Sequence, residues 1–269
     1  MDETTTYRYN RFRMRHMLAD VRFSRAALEP GDVFKPIELP TADAGTVRIG
    51  GPRDRPQVVV TGSLTCPLTE SSTPLLRQLH AEHDGRIDLV LLSVREAHPG
   101  ERLPQPTTAA AAEDRARHLA SHHQVSFTVA IDTLDGEVHR RLDHKPNAVL
   151  VLGTDGRVAY RGLWAATIGP LRAAIEAVAD GRAPERAQDR SILGPMTSAL
   201  PSFPAVINRG GRQARRDLRR SAAPMAFAGR LAAALPLGRA RHRSLAAMGI
   251  LMIAMAALIA VPVLAVTGE

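Results

Sequence analysis

The order of apolar runs within residues 57–179 is the feature that most constrains the fold. Three short runs typical of buried strands, around Val58, Leu89 and Val129, alternate with two segments of helical periodicity. A further pair of strands follows, joined by an Asp-Gly turn at 155–156, and a last helix ends the series. Strands that alternate with helices form a sheet whose two faces are both covered. The sequence therefore predicts an α/β domain.

A second apolar feature lies near the C-terminus, where residues 245–266 contain no charged side chain. About 22 residues at a rise of 1.5 Å give roughly 33 Å, enough to cross a bilayer core of about 30 Å. Arg239, Arg241 and Arg243 precede this run. The positive-inside rule then places residues 1–243 in the cytoplasm. We therefore expect a single-pass protein of the cell membrane with a C-terminal transmembrane helix.

The predicted organisation has four parts: an N-terminal extension (1–29), the α/β domain (30–180), a basic flexible linker (181–243) and the transmembrane helix (244–267). Residues 182–269 hold 13 arginines and four acidic residues, whereas the rest of the chain holds 22 basic and 23 acidic residues. The linker is rich in Pro, Arg, Ser and Ala without clear periodicity, which is typical of flexible segments. Its arginines are expected to contact anionic lipid headgroups. No DNA-binding motif accompanies them, so no nucleic-acid partner is predicted. The polar N-terminus shows no secretory signal.

The single cysteine, Cys66, follows the first predicted core strand and precedes a helix that begins at Pro67. Amides and the dipole at a helix N-terminus stabilise a thiolate and lower the thiol pKa. The hydroxyl groups of Ser63, Thr65 and Thr69 are candidate donors to the sulfur. The sequence thus predicts a reactive thiol, with an inert buried cysteine as the alternative. A thiol pKa well below 7 would favour the reactive thiol, and one near 8.5 the inert one.

Several motifs resemble the iodothyronine deiodinases. The stretch Gly-Ser-Leu-Thr-Cys-Pro at 62–67 is similar to their active-site segment, where a selenocysteine stands at the position of Cys66. Glu-Ala-His-Pro at 96–99 matches a second motif, and the segments 131–135 and 158–162 continue the match in the same order. The resemblance covers roughly residues 30–180 and implies a thioredoxin-like fold.

The resemblance also implies roles for individual residues. Cys66 is expected to attack the halogen of an aryl iodide, and Glu96 and His98 are expected to supply the proton that the carbon needs. A carboxylate beside an imidazole suits proton transfer near neutral pH. Apart from the resemblance, the positions of the Ser63 and Thr65 hydroxyls near Cys66 predict that they stabilise the thiolate. Pro146 resembles the cis-proline that faces the active cysteine in the wider thioredoxin superfamily.

The expected chemistry needs a small-molecule substrate and an external thiol reductant, because the chain has no second cysteine to resolve an oxidised Cys66. No bound cofactor is predicted. Two features depart from the family: a thiol replaces the selenol, and the predicted anchor is C-terminal instead of N-terminal. The substrate is therefore not carried over from the family, and a homodimer is left open.

Two alternatives to a deiodinase-like enzyme remain open at this point. The first is a one-cysteine peroxidase of the peroxiredoxin type, because Ser63 stands three residues before Cys66, where those enzymes keep a hydroxyl. Val59 occupies the position at which they have a proline, which weakens this alternative. The second is a non-catalytic thioredoxin-like module that binds a partner at the membrane.

The histidines of the long predicted helix raise the question of a metal site. His118 and His122 are four residues apart, with His123 beside them. No carboxylate or cysteine of suitable spacing completes a ligand set. We therefore predict solvated helix histidines and no metal.

Overall fold

The computed structural model describes the backbone of residues 7–266 and side chains up to residue 254. Within this part, the strands in chain order are β1 (Ile37–Pro40), β2 (Thr46–Ile49), β3 (Gln57–Gly62), β4 (Asp88–Ser93), β5 (Thr128–Ile131), β6 (Val149–Leu152), β7 (Val158–Gly162) and β8 (Gln188–Asp189). The helices of the first 180 residues are α1 (Met14–Asp20), α2 (Pro67–Glu82), α3 (Ala109–His123), α4 (Glu137–Arg141) and α5 (Ile168–Ala179).

Six strands form a central mixed sheet in the order β5-β4-β3-β6-β7-β8. Strands β3, β4 and β5 run parallel, joined by α2 and α3, whereas β6 is antiparallel to both β3 and β7. A parallel half built from strand–helix–strand crossovers, completed by an antiparallel hairpin and a helix, is the arrangement of the thioredoxin-like fold. The predicted α/β fold class is confirmed, and the thioredoxin-like fold with it.

Strand β3 shows why the sequence forms this sheet. All six of its residues are buried. Val58 and Val60 contact the core beneath α2, α3 and α5, while Val59 between them packs into the core on the opposite face. Successive side chains of a strand point to opposite faces, so a strand buried on both sides reads as a continuous apolar run.

The predicted hairpin between β6 and β7 is confirmed. Gly156 in its turn has a φ of +77°. A Cβ atom there would lie 2.7 Å from the backbone carbon of Gly51. Only glycine satisfies both the left-handed backbone and this close approach.

The segment predicted as a flexible basic linker is helical instead. It contains α6 (Leu193–Ala199), a 3-10 helix (Leu200–Ser202), α7 (Phe203–Gly210), α8 (Arg212–Ser221) and α9 (Ala223–Ala234). In α8, Ala214, Leu218 and Ser221 are buried at helical spacing, while Arg216 and Arg220 are exposed. The high arginine content hides this amphipathic pattern in the sequence. The sequence therefore predicts a flexible linker although the segment is helical.

The last helix, α10 (Ala240–Val266), includes residues 244–266 of the predicted transmembrane segment 244–267, and residue 267 lies outside the described residues. Its first turns pack on the preceding helices, because Ser244 is buried and its hydroxyl donates to the carbonyl of Thr197 over 2.6 Å. In the described residues, no helix has both the length and the apolar character needed to cross a bilayer. The side chains after residue 254 lie outside the described residues, and the membrane anchor stays a prediction.

The N-terminal extension lies against the α/β domain. The Tyr9 hydroxyl donates to the carbonyl of Ala97 over 2.8 Å, and the amide of Gln105 donates to the carbonyl of Tyr9 over 3.1 Å. The ring of Phe12 packs on that of His98, with centroids 4.3 Å apart. The extension therefore covers the loop that follows β4.

Candidate active site

Cys66 stands where the sequence predicts it, at the N-cap of α2 directly after β3 and its loop. Its backbone N–H donates to the carbonyl of Ser63 over 3.2 Å, and its own carbonyl accepts the N–H of Glu70 over 3.1 Å. Pro67 occupies the first turn of the helix, where a missing N–H costs no hydrogen bond. The side chain is only 2% exposed and contacts an apolar cluster contributed largely by the C-terminal helices.

The sequence predicts a lowered pKa for the thiol of Cys66, but its environment in the structure raises the pKa instead. Burial raises the pKa of Cys66 to about 11, because a thiolate loses its hydration in an apolar surrounding. The hydroxyl of Thr69 and the backbone N–H groups of Leu68 and Thr69 lower the pKa in part, and the charge on Asp20 raises it further. In this state the thiol is protonated at neutral pH. The helix N-terminus is present, but desolvation outweighs it.

The hydroxyls of Ser63 and Thr65, predicted to stabilise the thiolate, are engaged elsewhere. Ser63 Oγ accepts the backbone N–H of Ala97 over 3.2 Å. Thr65 Oγ1 donates to Glu96 Oε2 over 2.6 Å and accepts the backbone N–H of His98 over 3.0 Å. Both hydroxyls therefore join the loop after β3 to the loop after β4. Of the three candidate hydroxyls, Thr69 is the one that acts on the sulfur.

Glu96 is fully buried beneath the contact between these two loops. Its Oε2 also accepts the backbone N–H of Thr65 over 2.9 Å, and its Oε1 accepts Nη1 of Arg115 over 2.6 Å. Within the described part of the chain, no hydrogen bond joins this carboxylate to the imidazole of His98. The predicted pair is thus brought to one loop, but its members are linked only through Thr65. Arg115, on α3, has no sequence signal that connects it with the motif.

His98 is 6% exposed, and its Nδ1 atom has no hydrogen-bond partner among the described residues. Burial lowers the pKa of His98 to about 3, and the nearby charge of His16 lowers it further. The imidazole is therefore neutral at physiological pH, with a ring nitrogen that is left free.

Cys66 and His98 line one cavity of about 190 Å³. The other walls come from the N-terminal extension, the loop after β7 and the C-terminal helices, and they include Phe12, Met17, Trp164, Met196, Phe203 and Met225. The lining is almost entirely apolar. Trp164 Nε1 is buried and has no partner in the part of the chain that the structure describes. Its position after β7 and its status as the single tryptophan are the signals by which the sequence could have indicated it.

Pro146 also lines this cavity, as expected for a proline that faces the cysteine. The expectation of a cis bond is wrong, since every peptide bond described is trans. The carbonyl of Lys145, just before the proline, accepts the hydroxyl of Thr61 over 2.7 Å and lies 2.9 Å from Nε2 of His139. The trans isomer is the ordinarily favoured one for a bond before proline.

The prediction that the histidines of α3 are solvated is correct for only some of them. His123 is buried, and ligand atoms of Glu70, His122 and His123 lie within 4.8 Å of one another. Glu70 Oε2 already accepts Nη1 of Arg209 over 2.7 Å and lies 3.2 Å from Nε2 of His122. A guanidinium on the shared carboxylate opposes a second cation at the same place, so we assign no metal to this cluster.

No protein-family model matches the chain, and a search of curated proteins found no match. Solved structures that it resembles include an uncharacterized conserved protein from Geobacillus kaustophilus, with 17% identity, a TM-score of 0.47, and coverage of 60% of this chain and 88% of that chain. A peroxiredoxin-like protein from Aquifex aeolicus has 21% identity, a TM-score of 0.35, and coverage of 50% and 75%. The thioredoxin domain of a thiol-disulfide oxidoreductase from Bacteroides vulgatus has 11% identity, a TM-score of 0.37, and coverage of 49% and 86%.

Proposed function

We propose that the chain is a thiol-dependent oxidoreductase that uses Cys66 to remove a halogen from a small aryl halide. One observation carries this proposal: the thiol of Cys66 and the neutral imidazole of His98 share an apolar cavity of about 190 Å³. The motif resemblance to the deiodinases points to the same chemistry.

The size and lining of the cavity suit one aromatic ring. A dry apolar cavity of roughly 150 Å³ is enough to hold benzene. Two buried polar atoms of lining residues, Nδ1 of His98 and Nε1 of Trp164, have no hydrogen-bond partner among the described residues, and we propose that a bound ligand satisfies them. An indole N–H only donates, so it suits a substrate oxygen such as that of a phenol. A monocyclic iodophenol fits this description.

The free nitrogen of His98 allows a balanced proton transfer. No hydrogen bond joins Nδ1 to the Cys66 thiol in this structure. We propose that substrate binding brings the two together, and that Nδ1, in the tautomer that carries its hydrogen on Nε2, then takes the proton of the thiol. The sulfur then attacks the halogen, and the carbon–halogen bond breaks with its electron pair on carbon. His98 returns the proton to that carbon, which gives the arene and a sulfenyl halide on Cys66. On the resting pKa values, about 3 for His98 and about 11 for Cys66, this transfer is uphill, so we propose that it is coupled to the attack on the halogen, in which the carbon takes up the proton.

An external thiol regenerates Cys66. Its sulfur attacks Sγ, the halide leaves with the bonding pair, and a mixed disulfide forms while a proton is released. A second thiol attacks the mixed disulfide, and Cys66 leaves as a thiol. The two external thiols supply two electrons and depart as their disulfide.

Glu96 acts as a positioning residue in this scheme and not as a proton donor. Its carboxylate is held by Thr65 and Arg115. Through Thr65 it fixes the backbone of His98, and with it the direction of the imidazole. A rigid support of this kind holds catalytic groups in the geometry that a reaction needs.

The peroxidase alternative is less well supported by the site. A peroxide is small and polar, whereas the cavity that Cys66 lines is almost entirely apolar. The non-catalytic module leaves the cavity and its free imidazole nitrogen without a role. Membrane anchorage through residues 244–267, with lipid contacts and a cytoplasmic domain, remains part of the proposal.

Iodide release from 2-iodophenol by the full chain, with excess dithiothreitol, tests the proposal. We expect turnover that Cys66→Ser abolishes and that His98→Gln lowers by about 100-fold, within the range of general acid–base catalysis. His118→Gln is the matched control, because His118 is exposed on α3. No iodide release from folded protein would rule out the dehalogenase. Consumption of peroxide under the same conditions would favour the peroxidase.

A further inference from the structure

We infer that the large cationic cleft behind α1 binds the anionic low-molecular-weight thiol that regenerates Cys66. This inference rests on the proposed function and names the class of its reductant. The cleft has a volume of about 820 Å³, and its lining includes Arg15, Arg22, Arg25, Arg95, Arg140 and Lys145. Its volume lies within the range of roughly 300–1,000 Å³ typical of small-molecule sites.

Only some of the cationic side chains of the cleft are paired with a carboxylate of the protein. Lys145 pairs with Asp143 at 2.9 Å, and Arg140 pairs with Asp135. Neither Arg22 nor Arg25 forms an ion pair or hydrogen bond with another described residue, and both are exposed.

Arg95 adds a cation that has no carboxylate partner among the described residues. Its guanidinium donates to the carbonyl of Tyr7 and packs over the rings of Tyr7 and Tyr9, 4.9 and 4.8 Å from their centroids. Burial raises the pKa of Asp20, the other acid of the lining, to about 7, so its negative charge is incomplete at neutral pH. The cleft therefore keeps a positive charge that an anion can neutralise.

Helix α1 and the residue after it separate this cleft from the cavity at Cys66. Met17, Leu18 and Val21 line the cavity, Arg15 and His16 line the cleft, and Asp20 lines both. No residue of α1 is fully buried. The partition is thus a single short helix.

Tyr9 gives a second link between the two spaces. It lines the cleft, and its hydroxyl donates over 2.8 Å to the carbonyl of Ala97, a residue that lines the cavity at Cys66. A ligand seated on the cations of the cleft therefore lies one helix away from the sulfur that it must reach.

The reductant acts on Cys66 in two balanced steps. The thiolate of one bound anion attacks Sγ and expels the halide, and a second molecule attacks the resulting mixed disulfide and releases Cys66 as a thiol. The cleft favours anionic thiols over neutral ones, because its arginines stabilise the carboxylate or phosphate groups that such thiols carry. An aryl halide has no such group and occupies the apolar cavity instead.

The second step can be measured without any aryl halide, which separates this inference from the proposed dehalogenation. Cys66 of the full chain is converted to its 2-pyridyl disulfide, and release of pyridine-2-thione is followed with mercaptosuccinate, which carries two carboxylates, or with neutral thioglycerol. In the double variant Arg22→Gln/Arg25→Gln we expect the rate with mercaptosuccinate to fall by about tenfold. The rate with thioglycerol should stay within about twofold. Arg77→Gln, an exposed arginine on α2, is the matched control.

A second measurement uses the Cys66→Ser protein and does not depend on forming the disulfide. Calorimetric titration with S-methylglutathione and with coenzyme A distinguishes carboxylate from phosphate as the anion bound. Binding of either that weakens in the double variant, and weakens as salt is raised, supports the inference. Absence of binding by both, or equal losses for mercaptosuccinate and thioglycerol, would overturn it while leaving dehalogenation with dithiothreitol intact.

Discussion

The hydroxyl of Thr65 donates to Glu96 Oε2 over 2.6 Å, and this contact joins the cysteine loop to the loop that follows β4. The same hydroxyl oxygen accepts the backbone N–H of His98 over 3.0 Å. On the other side, Arg115 closes the arrangement with a bond of 2.6 Å to Glu96 Oε1. The carboxylate of Glu96 therefore holds the loop of Cys66 and the loop of His98 together.

Replacement of this carboxylate should destabilise the fold. Glu96→Gln leaves the guanidinium of Arg115 without its partner in a largely buried place, and we expect a loss of about 3 kcal/mol in the free energy of unfolding. Glu113→Gln, on the same α3 but with a half-exposed side chain, should change it by less than about 0.5 kcal/mol. Urea unfolding of both variants measures the difference. Similar values for the two would show that the Glu96 ion pair does not support the loops.

The reactivity of Cys66 should depend on pH in the way that a buried thiol requires. With a pKa of about 11, only about one thiol in ten thousand is ionised at pH 7. Alkylation by iodoacetamide in the absence of substrate should therefore rise about tenfold per pH unit from pH 7 to 9 and show no plateau there. The urea-unfolded chain, with a thiol pKa near 8.5, is the control. A plateau below pH 8 in the folded protein would contradict the buried environment.

The same pKa difference affects stability, and its sign follows from burial. The folded pKa of Cys66 lies above the unfolded value, so the stabilisation is complete below about pH 8.5 and is lost as pH rises toward 11. Cys66→Ala should flatten the decline of the free energy of unfolding between pH 8.5 and 10. An unchanged decline would mean that the thiol ionises equally in both states.

The sequence predicts well those elements that are determined by residues close together in the chain. The apolar run of β3, the helix that starts at Pro67 and the hairpin turn at 155–156 each follow from residues that are neighbours in the chain. Their alternation also predicts the fold class, because few topologies accommodate it.

What the sequence fails to predict depends on contacts between distant segments. The partner of Glu96 is Arg115, on a helix whose pattern gives no sign of it. Cys66 is desolvated by side chains more than a hundred residues away, such as Phe203, in a region whose arginines suggest a linker. The helix N-terminus is correctly placed, but the sign of the pKa shift is decided by that distant burial.

His98 should remain neutral well into the acid range. Burial lowers its folded pKa to about 3, whereas an unfolded histidine titrates near 6.5. The unfolded chain therefore binds more protons between these values, and stability due to His98 falls as pH drops from about 6.5 toward 3. A ¹³C-resolved NMR titration should show no imidazolium at this residue at pH 5, and His98→Gln should reduce the acid dependence of unfolding. Protonation of the folded His98 near pH 6.5 would contradict this burial.

The C-terminal helices should behave as part of the folded domain, and two phenylalanines test this directly. Phe203, at the start of α7, is 4% exposed and lines the cavity at Cys66, whereas Phe227 on α9 is 57% exposed. Phe203→Ala removes a buried ring and should lower the free energy of unfolding by about 3 kcal/mol. Phe227→Ala removes the same atoms from an exposed position and should lower it by less than about 0.5 kcal/mol.

The Phe203→Ala variant should also change access to the thiol. Removal of the ring opens one wall of the cavity, so alkylation of Cys66 at a fixed pH should be faster than in the parent chain, with Phe227→Ala as the matched control. Denaturant unfolding and alkylation rates are measured on the same preparations. If both variants unfold and react like the parent, residues 193–234 do not pack on the domain, and the apolar cavity that carries the proposed function has no such wall.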